Sequence, residues 1–136
     1  MTIEGTTMSL SQPAANPIKG TALLLRLEAL AAVVFGVTAY AMLGQSWIVF
    51  AVLFFLPDLF MAGYLVSPRV GAWSYNLVHT YVTPALVAAS GFVFGPIAFG
   101  IAAIWVAHIG MDRMLGYGLK KETGFQDTHL GRIGKK

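Results

Sequence analysis

The sequence contains no cysteine, and only 11% of its 136 residues are charged. The lack of cysteine excludes disulfide bonds, thiolate metal sites and thiol chemistry, so that any metal site must use histidine and oxygen ligands. The scarcity of charge, with 57% hydrophobic residues and a mean hydropathy of +0.70, excludes a soluble globular domain. We therefore expect an integral membrane protein.

A basic stripe interleaved with aromatic residues is also missing, so the net charge of +3 does not indicate nucleic-acid binding. The first twenty residues are polar, contain two prolines and lack the apolar core of a signal peptide. We expect a disordered cytoplasmic segment over residues 1–21, a single membrane domain over residues 22–119 and a basic cytoplasmic tail over residues 120–136.

Four apolar stretches have the length of about 20 residues that crosses the hydrocarbon core of a bilayer. They comprise residues 22–43, 46–66, 72–91 and 96–117. Because their connections are only a few residues long, the sequence predicts an all-α, up-down-up-down four-helix bundle. The basic residues gather at one end of the stretches, and the positive-inside rule places both termini at the cytoplasmic side.

The ionisable residues within the stretches converge at one depth. Counted from each cytoplasmic end at about 1.5 Å per residue, they lie roughly 8 to 14 Å deep. An isolated charge in hydrocarbon costs at least about 2.5 kcal/mol, so these groups are expected to face one another. This polar layer consists of Glu28, Asp58, His79, His108 and Asp112.

Two local patterns in the polar layer favour a ligand site. His108 and Asp112 are four residues apart, which places both side chains on one helix face, as in metal sites that combine a histidine with an acid. Asp58 follows Pro57, whose ring removes a backbone hydrogen bond and favours a kink at the site.

Further polar residues are predicted to support the layer. Asn76 and Thr83 share the helical face of His79 and are expected to orient its ring by hydrogen bonding. Arg26 and Arg113 are placed to neutralise the acids of the layer. In the tail, Asp127 and His129 join the layer if the tail folds under the bundle; a solvated tail would instead contact anionic lipid headgroups.

Several segments of the chain resemble one known family. They are LLRLEALA near the start, PDLFMAGYL (57–65), YNLVHTYVTP (75–84), HIGMDRMLGYGLK (108–120) and TGFQDTHLGRIGK (123–135). The chain resembles the family of small membrane proteins called domain of unknown function 4260 (DUF4260), which implies a bacterial inner-membrane protein and no particular activity. Its motifs include all five residues of the polar layer.

A looser resemblance links the chain to membrane-bound metal-dependent hydrolases, which also combine a Pro-Asp pair with histidine and acid pairs. Their pattern has a second acid two residues after the first, where this chain has Phe60. This departure weakens the expectation of that hydrolytic centre.

The polar layer leaves four functions open. The first is a divalent metal site for Zn, Mn or Fe that hydrolyses a membrane-associated substrate, with Glu28 as the candidate base and the other four residues as ligands. The second is a proton- or cation-coupled transporter or an oligomeric channel. A non-catalytic scaffold and a bis-histidine haem protein follow. The expected partners are the lipid bilayer and further copies of the chain.

Overall fold

The computed structural model describes residues 19–134, and this part of the chain is mostly helical. It contains helices α1 (Lys19–Met42), α2 (Trp47–Phe54), α3 (Pro68–Val78), α4 (Val82–Phe94) and α5 (Pro96–Leu115), with a 3-10 helix (Leu56–Leu65) after α2. Strands β1 (Lys120–Lys121), β2 (Gly124–Thr128) and β3 (Gly131–Arg132) follow. Residues 1–18 of the segment predicted to be disordered lie outside the described residues. The last three residues of that segment, 19–21, belong to α1.

Within residues 19–134, three segments are long and apolar enough to cross a membrane, namely Gly20–Met42, Trp47–Leu65 and Pro96–Leu115. Helices α3 and α4 provide a fourth if the pair, which is bent by 45°, counts as one span. The predicted span over residues 72–91 is therefore not a continuous helix. Pro84 explains the break, because it has no N–H group for the carbonyl of Thr80 and its ring crowds that carbonyl.

Proline also ends α2. Pro57 offers no N–H group to the carbonyl of Leu53, and the α-helix gives way to the 3-10 helix that carries Asp58. A 3-10 stretch of this length is uncommon and often marks a functional position in a helix. Both proline breaks thus lie beside residues of the predicted polar layer.

Helix α5 is the centre of the fold and packs against α1, α4 and α2, while α3 packs against the 3-10 helix. Glycine makes the contact between α1 and α5 close. A Cβ atom on Gly36 would lie 2.6 Å from the carbonyl oxygen of Ala103, and one on Gly110 would lie 2.8 Å from that of Ala29. Small residues of this kind allow helix backbones to approach each other within a bilayer.

The tail is a folded element and not only a solvated segment. Its three strands form an antiparallel sheet in the order β1-β2-β3, which adds a small β element to the predicted all-α class. Asn76 attaches this sheet to α3, since its amide nitrogen donates to the carbonyl of Lys120 and its oxygen accepts from the Lys120 N–H. Glu122 of the tail accepts from the indole of Trp73 and forms an ion pair with Arg69, and both of these residues also belong to α3.

Candidate metal centre

Four residues of the predicted polar layer meet between the 3-10 helix, the end of α3 and α5. Each offers one ligand atom, and these four atoms lie within 4.8 Å of one another. The two imidazole rings are buried, whereas the side chains of Asp112 and Asp58 are 13% and 31% exposed. We call Asp58, His79, His108 and Asp112 the His/Asp cluster.

The distances within the His/Asp cluster match those of a small coordination sphere. The two histidine Nε2 atoms are 3.2 Å apart. Asp58 Oδ1 lies 3.5 Å from both of them, and Asp112 Oδ2 lies 3.5 Å from His79 Nε2 and 3.8 Å from His108 Nε2. Ligand atoms around a tetrahedral zinc ion with bonds of about 2.0 to 2.1 Å stand about 3.3 to 3.4 Å apart. The five distances that involve a histidine nitrogen are therefore close to those that such an ion requires, and the two carboxylate oxygens lie within 4.8 Å of each other.

Tyr75 fixes the ring of His79. The Tyr75 carbonyl oxygen is 2.8 Å from His79 Nδ1 and can only accept, so Nδ1 of the neutral ring carries the proton and Nε2 presents a lone pair to the cluster. The phenol ring of Tyr75 stacks on the imidazole at 3.6 Å, and its hydroxyl donates to Asp112 Oδ2 at 2.9 Å. Metal-binding histidines are typically oriented by such a carbonyl.

The ring of His108 is held by packing instead. Its Nδ1 is buried without a hydrogen-bond partner among residues 19–134, and the ring of Phe54 packs edge-on at 5.2 Å. With its proton on Nε2, His108 donates a hydrogen bond to His79 Nε2 at 3.2 Å; with its proton on Nδ1, the two rings direct lone pairs at each other, and these repel. A cation bound by both Nε2 atoms requires the second arrangement and removes its repulsion.

The break between α3 and α4 places His79 in the cluster. Side chains of α5 stabilise this break by hydrogen bonds to its free carbonyl groups. The carbonyl of Val78 accepts from Trp105 Nε1 at 2.7 Å, and the carbonyl of His79 accepts from Arg113 Nη2 at 3.1 Å. A free carbonyl in hydrocarbon costs several kcal/mol, so these bonds allow a non-helical backbone at this position.

Glu28, the fifth residue of the predicted polar layer, lies outside the cluster. It is exposed on α1 and lines a cavity of about 430 Å³ together with Tyr81 and Arg113. Among residues 19–134, neither Arg26 nor Arg113 forms an ion pair with an acid. The neutralisation expected from the two arginines is therefore absent from this arrangement.

The other predicted supporting residues have partners away from His79. Asn76 binds the backbone of Lys120, and the hydroxyl of Thr83 donates to the carbonyl of Leu77 beside the helix break. Orientation of the His79 ring, predicted for these two side chains, comes from the Tyr75 carbonyl. In the tail, Asp127 accepts from the hydroxyl of Thr123 and His129 accepts from the Leu119 N–H, both outside the cluster.

Tyr75, Trp105 and Lys120 contribute to the site without having been predicted. Lys120 is buried beside the last turn of α3, where its Nζ lies 5.2 Å from the ring centroid of Tyr75 and 4.0 Å from that of Phe125. Burial lowers the pKa of Lys120, and the carboxylates of Asp112 and Asp58 oppose this effect. The spacing of four residues between Tyr75 and His79 is the one signal in the sequence that indicates such a contact.

Comparison with known proteins gives one match. The family model described as Domain of unknown function (DUF4260) matches residues 22–133. That range contains every residue of the His/Asp cluster as well as Tyr75, Trp105 and Lys120. No curated protein and no solved structure matches the chain.

Proposed function

We propose that the chain, which belongs to the DUF4260 family, is a multi-pass membrane protein that binds one divalent metal ion at the His/Asp cluster. The approach of two imidazole Nε2 atoms to 3.2 Å, with carboxylate oxygens at 3.5 to 3.8 Å from them, carries this proposal. Two neutral imidazoles and two carboxylates form a complex of zero net charge with a divalent cation. Such neutrality favours the site in surroundings where isolated charge is costly.

Zinc fits the donor set best among the metals expected. Imidazole and carboxylate ligands suit Zn, Mn and Fe, but four protein ligand atoms at these separations favour tetrahedral zinc. A bis-histidine haem fits less well, because imidazoles on opposite sides of an iron place their nitrogen atoms about 4 Å apart. The two carboxylates would also occupy the space of the porphyrin.

The accessible side of the cluster is that of Asp58, whose side chain is 31% exposed while both imidazoles are buried. Four protein ligands fill a tetrahedral ion, so a bound metal would polarise a water, carbonyl or phosphoryl oxygen only if Asp58 gave up its position or the ion accepted a fifth ligand. We extend the proposal to hydrolysis of a membrane-associated substrate that reaches the cluster past Asp58. Metal binding is the better supported part, since Glu28, the expected base, lies outside the cluster.

For the topology, we propose four spans in an up-down-up-down order with both termini in the cytoplasm of a bacterial cell. Gln45 donates to the carbonyl of Pro96 at 2.7 Å, so the connection after α1 adjoins the one before α5. At the other end, Arg69 and Trp73 contact Glu122 of the tail. The positive-inside rule assigns this second, basic end to the cytoplasm.

The decisive experiment is elemental analysis of protein purified without a histidine tag. The parent is compared with the double variant Asp58→Asn/His108→Ala and with the matched variant Glu28→Gln/His129→Ala, which loses the same two kinds of group outside the cluster. We expect close to one metal ion per chain in the parent and in the matched variant. The cluster variant is expected to retain almost none.

Two results would overturn the proposal. Equal metal content in the two variants would place the metal elsewhere. A metal-free parent that also fails to bind added zinc, while all three proteins show the same helical content, would leave the His/Asp cluster as a structural contact that only fixes helix packing.

A further inference from the structure

Three adjoining cavities follow α1 on the side of α5 that faces away from the His/Asp cluster. The upper cavity, of about 440 Å³, is lined by apolar side chains of α1, α4 and α5 and by Tyr81. The middle cavity, of about 430 Å³, shares Tyr81 with it. The lower cavity, of about 610 Å³, reaches the tail and shares Arg113 and His129 with the middle one. We call this series the amphiphilic groove.

The charged residues of the amphiphilic groove line its middle and lower cavities, and none lines the upper cavity. Arg26, Arg113 and Lys121 line the lower cavity, and Glu28 in the middle cavity is the one acid that lines the groove within the described chain. Over residues 19–134, none of the three cations forms an ion pair with a carboxylate. Three cations against one acid leave an excess of two positive charges in the middle and lower cavities, and the apolar upper cavity adjoins the middle one.

Arg113 has donors left for a ligand. Its Nη2 donates to the carbonyl of His79 and its Nη1 lies 3.0 Å from His129 Nε2, and neither partner carries a negative charge. A guanidinium group has five N–H donors in a planar fork that matches the oxygens of a phosphate. These contacts orient the group and leave its charge uncompensated.

We propose that the amphiphilic groove binds an anionic phospholipid, with an acyl chain in the upper cavity and the phosphate between Arg26, Arg113 and Lys121. The groove changes from apolar in the upper cavity to cationic in the lower cavity. A phospholipid changes in the same order from its apolar acyl chain to its anionic phosphate. Basic pockets at the cytoplasmic side of membrane helices are known sites for anionic headgroups. This inference does not rest on the metal, because the groove and the cluster use different sides of α5 and Arg113 contacts the cluster only through the backbone carbonyl of His79.

The test is native mass spectrometry of the full chain in detergent with phosphatidylglycerol or phosphatidylcholine of identical acyl chains. We expect the parent to retain phosphatidylglycerol preferentially. The variant Arg26→Gln/Lys121→Gln removes two cations and leaves Arg113 in its hydrogen bond to the His79 carbonyl. Its affinity for phosphatidylglycerol should fall about five-fold for each cation removed. The matched variant Arg69→Gln/Arg132→Gln removes two cations outside the groove and should bind like the parent.

A second variant tests the position of the acyl chain. Ala88→Phe places a bulky ring in the upper cavity and should reduce retention of phosphatidylglycerol, whereas Ala51→Phe on the exposed face of α2 should not. Equal retention of the two lipids, equal effects of the paired variants, or displacement of bound lipid by inorganic phosphate at similar concentration would overturn the proposal. Dimers abolished by Ala88→Phe would also overturn it in favour of a second copy of the chain.

Discussion

The two sides of α5 present opposite charge to their surroundings. His108 and Asp112 belong to the His/Asp cluster, which holds two carboxylates and no lysine or arginine side chain. Arg113 faces the amphiphilic groove, where cations outnumber acids. At 3.6 residues per turn, His108 and Arg113 point roughly 140° apart on the helix. A single helix therefore separates a site suited to a cation from one suited to an anion.

The two sites also differ in the elements that build them. The His/Asp cluster is made by α5, α3 and the 3-10 helix, and its rings are buried. The amphiphilic groove is made by α5, α1, α4 and the tail, and it is open at the surface. Because α1 belongs only to the groove and the 3-10 helix only to the cluster, substitutions on these elements should affect the two sites separately.

Among the substitutions that should affect the two sites differently, Gly36→Leu is expected to have the largest effect. A side chain at Gly36 meets the backbone of Ala103 and Ala107, so α1 must move away from α5. Overpacking of this kind costs up to about 3 kcal/mol of stability. Thermal unfolding should shift to lower temperature and bound phosphatidylglycerol should be lost, while metal content stays close to that of the parent.

Gly20→Leu is the control for this substitution, because a Cβ atom at Gly20 meets nothing within 4 Å. It should leave stability and both ligands unchanged. If Gly36→Leu removes metal and lipid together in protein that keeps its helical content, the two sides of α5 are not independent.

A smaller effect, confined to the cluster, is expected from Tyr75→Phe. This substitution removes the hydroxyl that donates to Asp112 while keeping the ring that stacks on His79. Loss of a hydrogen bond to a metal ligand typically lowers metal affinity by about 10- to 100-fold. Competition with a chelator should measure this decrease, and retention of phosphatidylglycerol should not change.

Tyr64→Phe provides a matched control. The Tyr64 hydroxyl is buried without a hydrogen-bond partner among residues 19–134, so its removal leaves no group unpaired. Its metal affinity should equal that of the parent. Equal affinities for the Tyr64→Phe and Tyr75→Phe variants would show that the hydrogen bond to Asp112 does not contribute to the site.

The sequence predicted the apolar helices of membrane-spanning length because the length of an apolar stretch is a local property. Three segments of spanning length appear in the structure, and a fourth is formed by a bent pair. The break at His79 was missed, although Pro84 provides the physical reason for it. The strands of the tail were missed as well, since two- and five-residue strands carry almost no periodic signal.

For the site, the sequence indicated the depth of each ionisable residue along its helix. It did not indicate the direction in which each side chain points around the helix axis. Counting residues from the helix ends placed five ionisable groups at one level, and the structure brings four of them together. Glu28 lies at the amphiphilic groove because the rotation of α1 is set by glycine packing against α5, which a residue count does not contain. Asn76 binds Lys120, 44 positions away in the chain, and the sequence gives no indication of that contact.

The smallest expected effect is a pH dependence on the groove side, at His129. Both ring nitrogens face donors, with the Leu119 N–H 2.8 Å from Nδ1 and Arg113 Nη1 3.0 Å from Nε2. Burial lowers the pKa of His129, and the charge of Arg113 lowers it further. The unfolded tail therefore binds a proton more readily than the folded tail. The contribution of neutral His129 to the free energy of unfolding is therefore fully present above the ordinary histidine pKa of about 6.5. It is lost as the pH falls through the lowered pKa of His129 in the folded tail.

Hydrogen exchange of the Leu119 amide measures this effect directly, because that amide loses its acceptor when His129 is protonated. Between about pH 7.5 and pH 5.5, its protection should fall by at most about 1 kcal/mol, the contribution of one hydrogen bond. His129→Gln should show no such decrease after correction for the intrinsic exchange rate. Since ligand protonation also weakens metal binding at low pH, the decisive quantity is the difference between parent and variant at the same pH. If the two proteins respond identically, the pH sensitivity belongs to the His/Asp cluster and not to the groove.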